Sequence, residues 1–111
     1  MELPNKSNAH VPLNKIINYL LSETHSVGKS KAKYFRSYGF DDASASNLMN
    51  GLLTIAHKSP VESSERSRYG TKYVLDGKLE TPNNDTIQVR TVWIIETDDD
   101  ILRFVTAYPV E

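Results

Sequence analysis

Apolar residues in the first half of the chain recur at helical spacing. Leu13, Ile16, Ile17, Leu20 and Leu21 fall at i, i+3, i+4, i+7 and i+8, one stripe of an amphipathic helix. Pro12 stands where a first helical turn tolerates proline. Ser22 to Ser30 reads as a loop holding His25 and Gly28. Ser30 is a fair N-cap for a second helix, Lys31 to Tyr38, with Ala32 and Phe35 facing inward. Gly39 is its natural stop, followed by an apolar Phe40 able to pack back. Asp41 or Asp42 caps a third helix, in which Ala45, Leu48, Met49, Leu52 and Ile55 or Ala56 repeat at helical spacing until Pro60 ends it.

The period then changes. Tyr69–Leu79, Thr86–Glu96 and Ile101–Val110 are rich in Val, Ile, Thr, Tyr and Trp and read as strands. Val61–Ser67 reads as a fourth, a polar edge strand. Pro82-Asn83-Asn84-Asp85 is a turn, and Asp98-Asp99-Asp100 is the tip of a hairpin. Asp76-Gly77 is read as a bulge, because a turn there would leave two very short strands. The expected fold is α+β: about three N-terminal helices followed by a three- to four-stranded antiparallel sheet. The expected organisation is a single domain over 1–111, with the helical part about 12–58 and the sheet part about 61–110.

Register bears on function. With Asp99 at the centre of the last hairpin, Arg90 lies opposite Tyr108 and Val92 opposite Thr106, so Arg90, Thr106 and Tyr108 share a face. A one-residue slip brings Thr91 and Trp93 to Thr106 and Tyr108 instead. Either pairing leaves hydroxyls amid apolar residues, as expected of a site intruding on a core pattern or simply of threonines in strands. Trp93 is read as a core anchor, since Val89 and Ile95 share its alternation.

Composition narrows the chemistry. The 111 residues contain no cysteine, which excludes a disulfide scaffold, a thiol nucleophile and thiolate-bound zinc or iron–sulfur. No run approaches the roughly 20 apolar residues of a membrane span, and MELPNKSN lacks the blocks of a signal peptide, so a soluble chain compatible with a reducing compartment is expected. The net charge of −1 conceals an asymmetry. Residues 1–58 hold seven Lys/Arg against four Asp/Glu, and residues 59–111 hold six against ten. The N-terminal half also carries all three histidines, His10, His25 and His57. There is no Walker-type loop, G-x-S-x-G elbow or His-Glu-x-x-His, so nucleotide hydrolases, serine hydrolases and zincins are excluded. The Asp98–Asp100 run lacks the spaced ligands of a calcium loop. No metal or cofactor is expected.

The segment from His25 to Arg36 is the most informative. It holds His25, Lys29, Lys31, Lys33 and Arg36 with Tyr34 and Phe35 interleaved. It reads either as a solvated helix face or as a phosphate-binding loop and helix start, with a histidine suited to proton transfer near neutral pH. Cleavage of RNA at its own 2′-hydroxyl needs a base, an acid and cations around phosphorus, but no thiol. His, Lys, Arg, Tyr and Thr side chains supply that set.

Four blocks, GKSKAKYFRSYGF at 28–40, YGTKYVLDGKL at 69–79, VRTVWII at 89–95 and LRFVTAYP at 102–109, together resemble a small bacterial domain family. Its members occur as C-terminal effector domains of polymorphic toxins and beside phage head-morphogenesis proteins. The layout is similar to ribonuclease toxins of the barnase–EndoU–colicin–RelE class, a fold-level analogy. The resemblance implies a metal-independent ribonuclease toxin domain cleaving tRNA or another RNA in the cytoplasm, delivered as the C-terminal part of a larger secreted effector. It implies a site of His25, Lys31, Lys72, Arg90, Thr91, Thr106 and Tyr108. Lys72 and Arg90 would neutralise phosphate, Thr106 and Tyr108 would orient it or shuttle a proton, and Lys31 or His25 would be the acid or base. It also implies an acidic immunity protein as partner. The alternative is a non-catalytic nucleic-acid- or protein-binding module of phage or bacterial origin.

Overall fold

The computed structural model describes residues 4, 8–22 and 29–110. A short strand β1 (Ala9–His10) precedes the helices. Helix α1 (Leu13–Lys15) opens directly into a π-helical turn, Ile16–Leu20, closed by the Leu21 N–H on the Ile16 carbonyl at 2.8 Å. The sequence predicts one regular helix there. The wider turn instead buries Ile16, Leu20 and Leu21 together and carries Tyr19 to the edge of the sheet.

Helix α2 (Lys29–Ser37) starts before the expected cap, so Ser30 lies within it. It ends as expected at Gly39: the Phe40 N–H reaches the Phe35 carbonyl, and the two rings meet edge to face at 6.2 Å. Asp41 and Ser44 form a reciprocal capping box on a 3₁₀ turn (Asp42–Ser44) that leads into α3 (Ala45–Lys58).

The sheet comprises β2 (Ser63–Ser67), β3 (Gly70–Glu80), β4 (Thr86–Glu96) and β5 (Leu102–Pro109) besides β1, in the order β1-β5-β4-β3-β2. This corrects the expected three- to four-stranded antiparallel sheet. The sheet has five strands and is mixed, because β1 pairs parallel with β5 through Ala9↔Leu102 and His10↔Arg103. Two residues are too few to show a period of two. The expected bulge at Asp76-Gly77 is also absent: β3 pairs with β4 without interruption from Gly70↔Glu96 to Glu80↔Thr86. Gly77 is instead a place of close approach, where an added Cβ would stand 2.8 Å from Ile55 Cγ1 on α3. The irregularity falls between β4 and β5, where Val92↔Thr106 is followed by Trp93↔Phe104 and Val105 is the extra residue.

Helix α3 packs along β3, and one sheet face is buried beneath the helices. Leu75, Leu79, Val89, Trp93, Leu102, Phe104 and Ala107 meet Leu20, Phe35, Leu48, Leu52 and Ile55 there. Trp93 is fully buried and packs edge to face on Phe104 at 5.4 Å. The opposite face has no second layer among the described residues. Val74, Asp76, Arg90, Val92, Ile94 and Tyr108 are only half-buried on it.

Candidate functional site

Two rows on the uncovered face and one cluster at its edge hold most of the candidate residues. Beyond the extra residue Val105, the pairing is the one expected from Asp99, with Arg90↔Tyr108 and Val92↔Thr106. Arg90 also faces Asp76 across β3. Arg90 Nε donates to Asp76 Oδ1 at 2.7 Å and Nη2 to Oδ2 at 2.9 Å, a bidentate pair. Those hydrogen bonds, helped by the guanidinium charge and opposed by partial burial, hold the Asp76 carboxyl below the usual carboxylate range. The same contacts raise the already high Arg90 value, with a smaller contribution from Tyr108. Asp76, Arg90 and Tyr108 thus form one row across three strands.

Two residues along β5, about 7 Å away, Thr106 Oγ1 lies 3.1 Å from Tyr19 Oη. The π-helical turn brings Tyr19 here. Above its ring stand two ammonium groups, Lys15 Nζ at 5.4 Å and Lys31 Nζ at 5.7 Å from the centroid. No carboxylate pairs with either lysine among the described residues. Two hydroxyls in contact, with two cations against the Tyr19 ring and a tyrosine–arginine row beside them, can hold an anionic oxygen and pass a proton between neighbours. Tyr19 and Lys15 were not legible as site residues: Tyr19 sits in a segment read as plain amphipathic helix, and the signal was only its i+4 spacing from Lys15.

The other candidates separate. Thr91 is fully buried on the helix-facing side. Its hydroxyl donates to the Leu75 carbonyl and accepts from Trp93 Nε1, both at 2.9 Å. Burial therefore sets Thr91 apart from the uncovered face. Lys72 is exposed and opposite Ile94 and Glu65. It lies four residues along β3 from Asp76, about 13 Å from the Arg90 row. His25 falls outside the described residues. Within the basic segment, Arg36 ties chain segments together: Nε and Nη2 donate to the Leu21 carbonyl at 2.9 and 2.6 Å, and Nη2 meets Asp42 at 3.0 Å. Among the described residues no group of three or more His, Asp or Glu side chains converges on a metal-sized site. No described helix is long and apolar enough to cross a membrane.

Among curated proteins, none has a matching sequence. One solved structure with a similar chain is described as a contact-dependent growth inhibition toxin–immunity protein complex from Klebsiella pneumoniae 342. The likeness has a TM-score of 0.71 at 14% identity and covers 96% of this chain and 97% of that one. At that identity the two chains share a fold. A family model described as "Domain of unknown function (DUF6883)" matches residues 2–111, and the chain belongs to that family.

Proposed function

We propose that this chain is the toxic domain of a contact-dependent inhibition system, a metal-independent ribonuclease that cleaves tRNA or another RNA through its 2′-hydroxyl. The observation that carries this reading is the 3.1 Å contact between Tyr19 Oη and Thr106 Oγ1, with the Lys15 and Lys31 ammoniums against the same Tyr19 ring. In this reaction the 2′-oxygen attacks phosphorus and the bond to the 5′-oxygen breaks. A base takes the 2′-hydroxyl proton, an acid protonates the departing 5′-oxygen, and cations stabilise the charge that builds on the phosphoryl oxygens. Lys31 and His25 are the acid and base of the proposal. Lys15 and Arg90 hold the phosphate, and Tyr19, Thr106 and Tyr108 orient it.

The fold shared with a chain from a toxin–immunity complex supports the toxin assignment by analogy. An immunity protein with an acidic patch is the corresponding partner, covering Lys15, Lys31 and Arg90. Delivery to the cytoplasm of a target cell as the C-terminal part of a larger effector is part of the same proposal. Lys72, outside the cluster, is proposed to contact the RNA backbone at a distance.

The bidentate Asp76–Arg90 pair favours a second reading, a binding module, because it engages one of the site's cations. End-group analysis separates the two. Incubation with RNA in EDTA is expected to give discrete fragments ending in 2′,3′-cyclic phosphate. A binding module would retain RNA uncut.

A further inference from the structure

Away from the β5 edge, one other feature joins an aromatic ring to positive charge. The turn between β2 and β3 carries Tyr69, 66% exposed and, among the described residues, the one large hydrophobic side chain left in solvent. Arg68 lies over its ring, the guanidinium carbon 5.0 Å from the centroid, and Arg68 Nη2 donates to the Tyr69 hydroxyl at 2.8 Å.

The turn is braced. The Tyr69 N–H donates to Ser67 Oγ at 3.2 Å, and Thr97 ties the turn to the end of β4: its N–H donates to the Tyr69 carbonyl at 3.0 Å and its hydroxyl to the Arg68 carbonyl at 2.9 Å. Gly70 follows at φ +145°, where a Cβ would stand 2.2 Å from the Ile95 carbonyl oxygen. An exposed ring on a rigid turn loses little freedom when a second flat group stacks on it.

Beside the turn is a depression of about 420 Å³ whose lining includes Arg66, Arg68, Thr71, Glu96 and Thr97. Its one carboxylate, Glu96, faces Arg103 at 3.7 Å. No carboxylate pairs with Arg66 or Arg68 among the described residues.

We infer that this turn docks one nucleotide unit of single-stranded RNA, its base stacked on Tyr69 and its phosphate held by Arg66 and Arg68. The inference rests on the ribonuclease reading for the class of ligand. Tyr69 adjoins Gly70, which pairs with Glu96, four residues along β4 from Val92 and its partner Thr106. Strand geometry sets the turn roughly 15–20 Å from the Tyr19–Thr106 contact. It would therefore bind a nucleotide remote from the cut and act on affinity rather than on the chemical step.

The test is binding of a dye-labelled single-stranded oligodeoxynucleotide, which lacks the attacking hydroxyl, followed by fluorescence anisotropy at low salt. Tyr69→Ala is expected to weaken binding about 5- to 150-fold, the range for a lost base–aromatic stack. Tyr69→Phe keeps the ring and should bind close to wild type. Arg66→Gln and Arg68→Gln should each flatten the salt dependence, by about 0.7 in log–log slope per phosphate contact. Weakened binding by Tyr69→Ala supports the site even if the wild type cuts no RNA, and that combination would remove only the ribonuclease reading. Unchanged binding by Tyr69→Ala, or no binding by the wild type, overturns the site. If RNA is then still cut normally, the ribonuclease reading stands without this site.

Discussion

Replacing Thr91 with Val isolates what its hydroxyl does inside the sheet. The substitution swaps hydroxyl for methyl at nearly constant volume, so no cavity contributes. Two hydrogen bonds vanish, one to the Leu75 carbonyl and one from Trp93 Nε1. Both Thr91 and Trp93 are fully buried, so water cannot take over. An orphaned buried indole N–H costs about 1–3 kcal/mol and the second bond about 1 kcal/mol, giving about 2–4 kcal/mol. In a domain of this size that lowers Tm by about 10–20 °C. Urea unfolding followed by the fluorescence of the single tryptophan measures it, with the m-value expected unchanged. Thr91→Ser keeps both bonds and loses one methyl group, about 0.8 kcal/mol. Adding Trp93→Phe removes the orphaned donor, so by circular dichroism the double variant should be less destabilised than the sum of the singles. A Thr91→Val loss within about 0.5 kcal/mol, or zero coupling to Trp93→Phe, would refute the structural role. Turnover of the folded variant is expected to match wild type.

Other perturbations address other layers of the structure. Gly77→Ala drives a methyl group against Ile55 and should destabilise by about 1–3 kcal/mol without changing RNA binding, as read by urea titration. The folded Asp76 carboxyl is harder to protonate than the unfolded one, near 3.9. Its contribution to stability is therefore complete well above pH 4 and is lost as pH falls from about 4 through the lower folded value. Asp76→Asn should flatten the acid limb of the stability–pH curve below pH 4, and an unaltered limb would contradict the pairing. Lys72→Ala is expected to leave kcat unchanged and only to raise KM, because the ammonium stands about 13 Å from the Arg90 row.

Hairpin symmetry made the uncovered face legible. A turn centred on Asp99 puts Arg90 opposite Tyr108, and the sheet has that pair, but it reaches it through the extra residue Val105: next to the turn the pairs are Ile95↔Leu102 and Ile94↔Arg103, one step out of that register. The β3–β4 turn is centred on Asn83 and closed between Thr81 and Asp85, so Asp76 stands opposite Arg90; a turn symmetric about Pro82–Asp85 would have put it opposite Thr91, and reading Asp76-Gly77 as a bulge further concealed the ion pair. The bulge signal was local, whereas the glycine answers a non-local demand, the close approach of Ile55. Thr91 and Thr106 look alike in sequence, and only strand parity separates a buried hydrogen-bonding post from an edge hydroxyl. Lys15 and Tyr19 are neighbours at i, i+4, but Lys31 reaches the same ring from another helix, and the π-helical turn leaves no mark on the apolar periodicity. Strand β1 is set by pairing with β5 rather than by its own two residues.

The central claim is that Lys31 and the Tyr19–Thr106 hydroxyl pair form a reacting centre. Single-turnover cleavage of tRNA in EDTA tests it most directly, comparing the wild-type chain with Lys31→Ala and Tyr19→Phe, each checked for folding by circular dichroism. Loss of the positioned acid–base group in Lys31→Ala is expected to slow the chemical step by about 10²–10⁴-fold, and loss of the orienting hydroxyl in Tyr19→Phe to slow it by less, with 2′,3′-cyclic phosphate ends on the wild-type products. Intact RNA with the wild-type chain, or equal cleavage by all three, would contradict it.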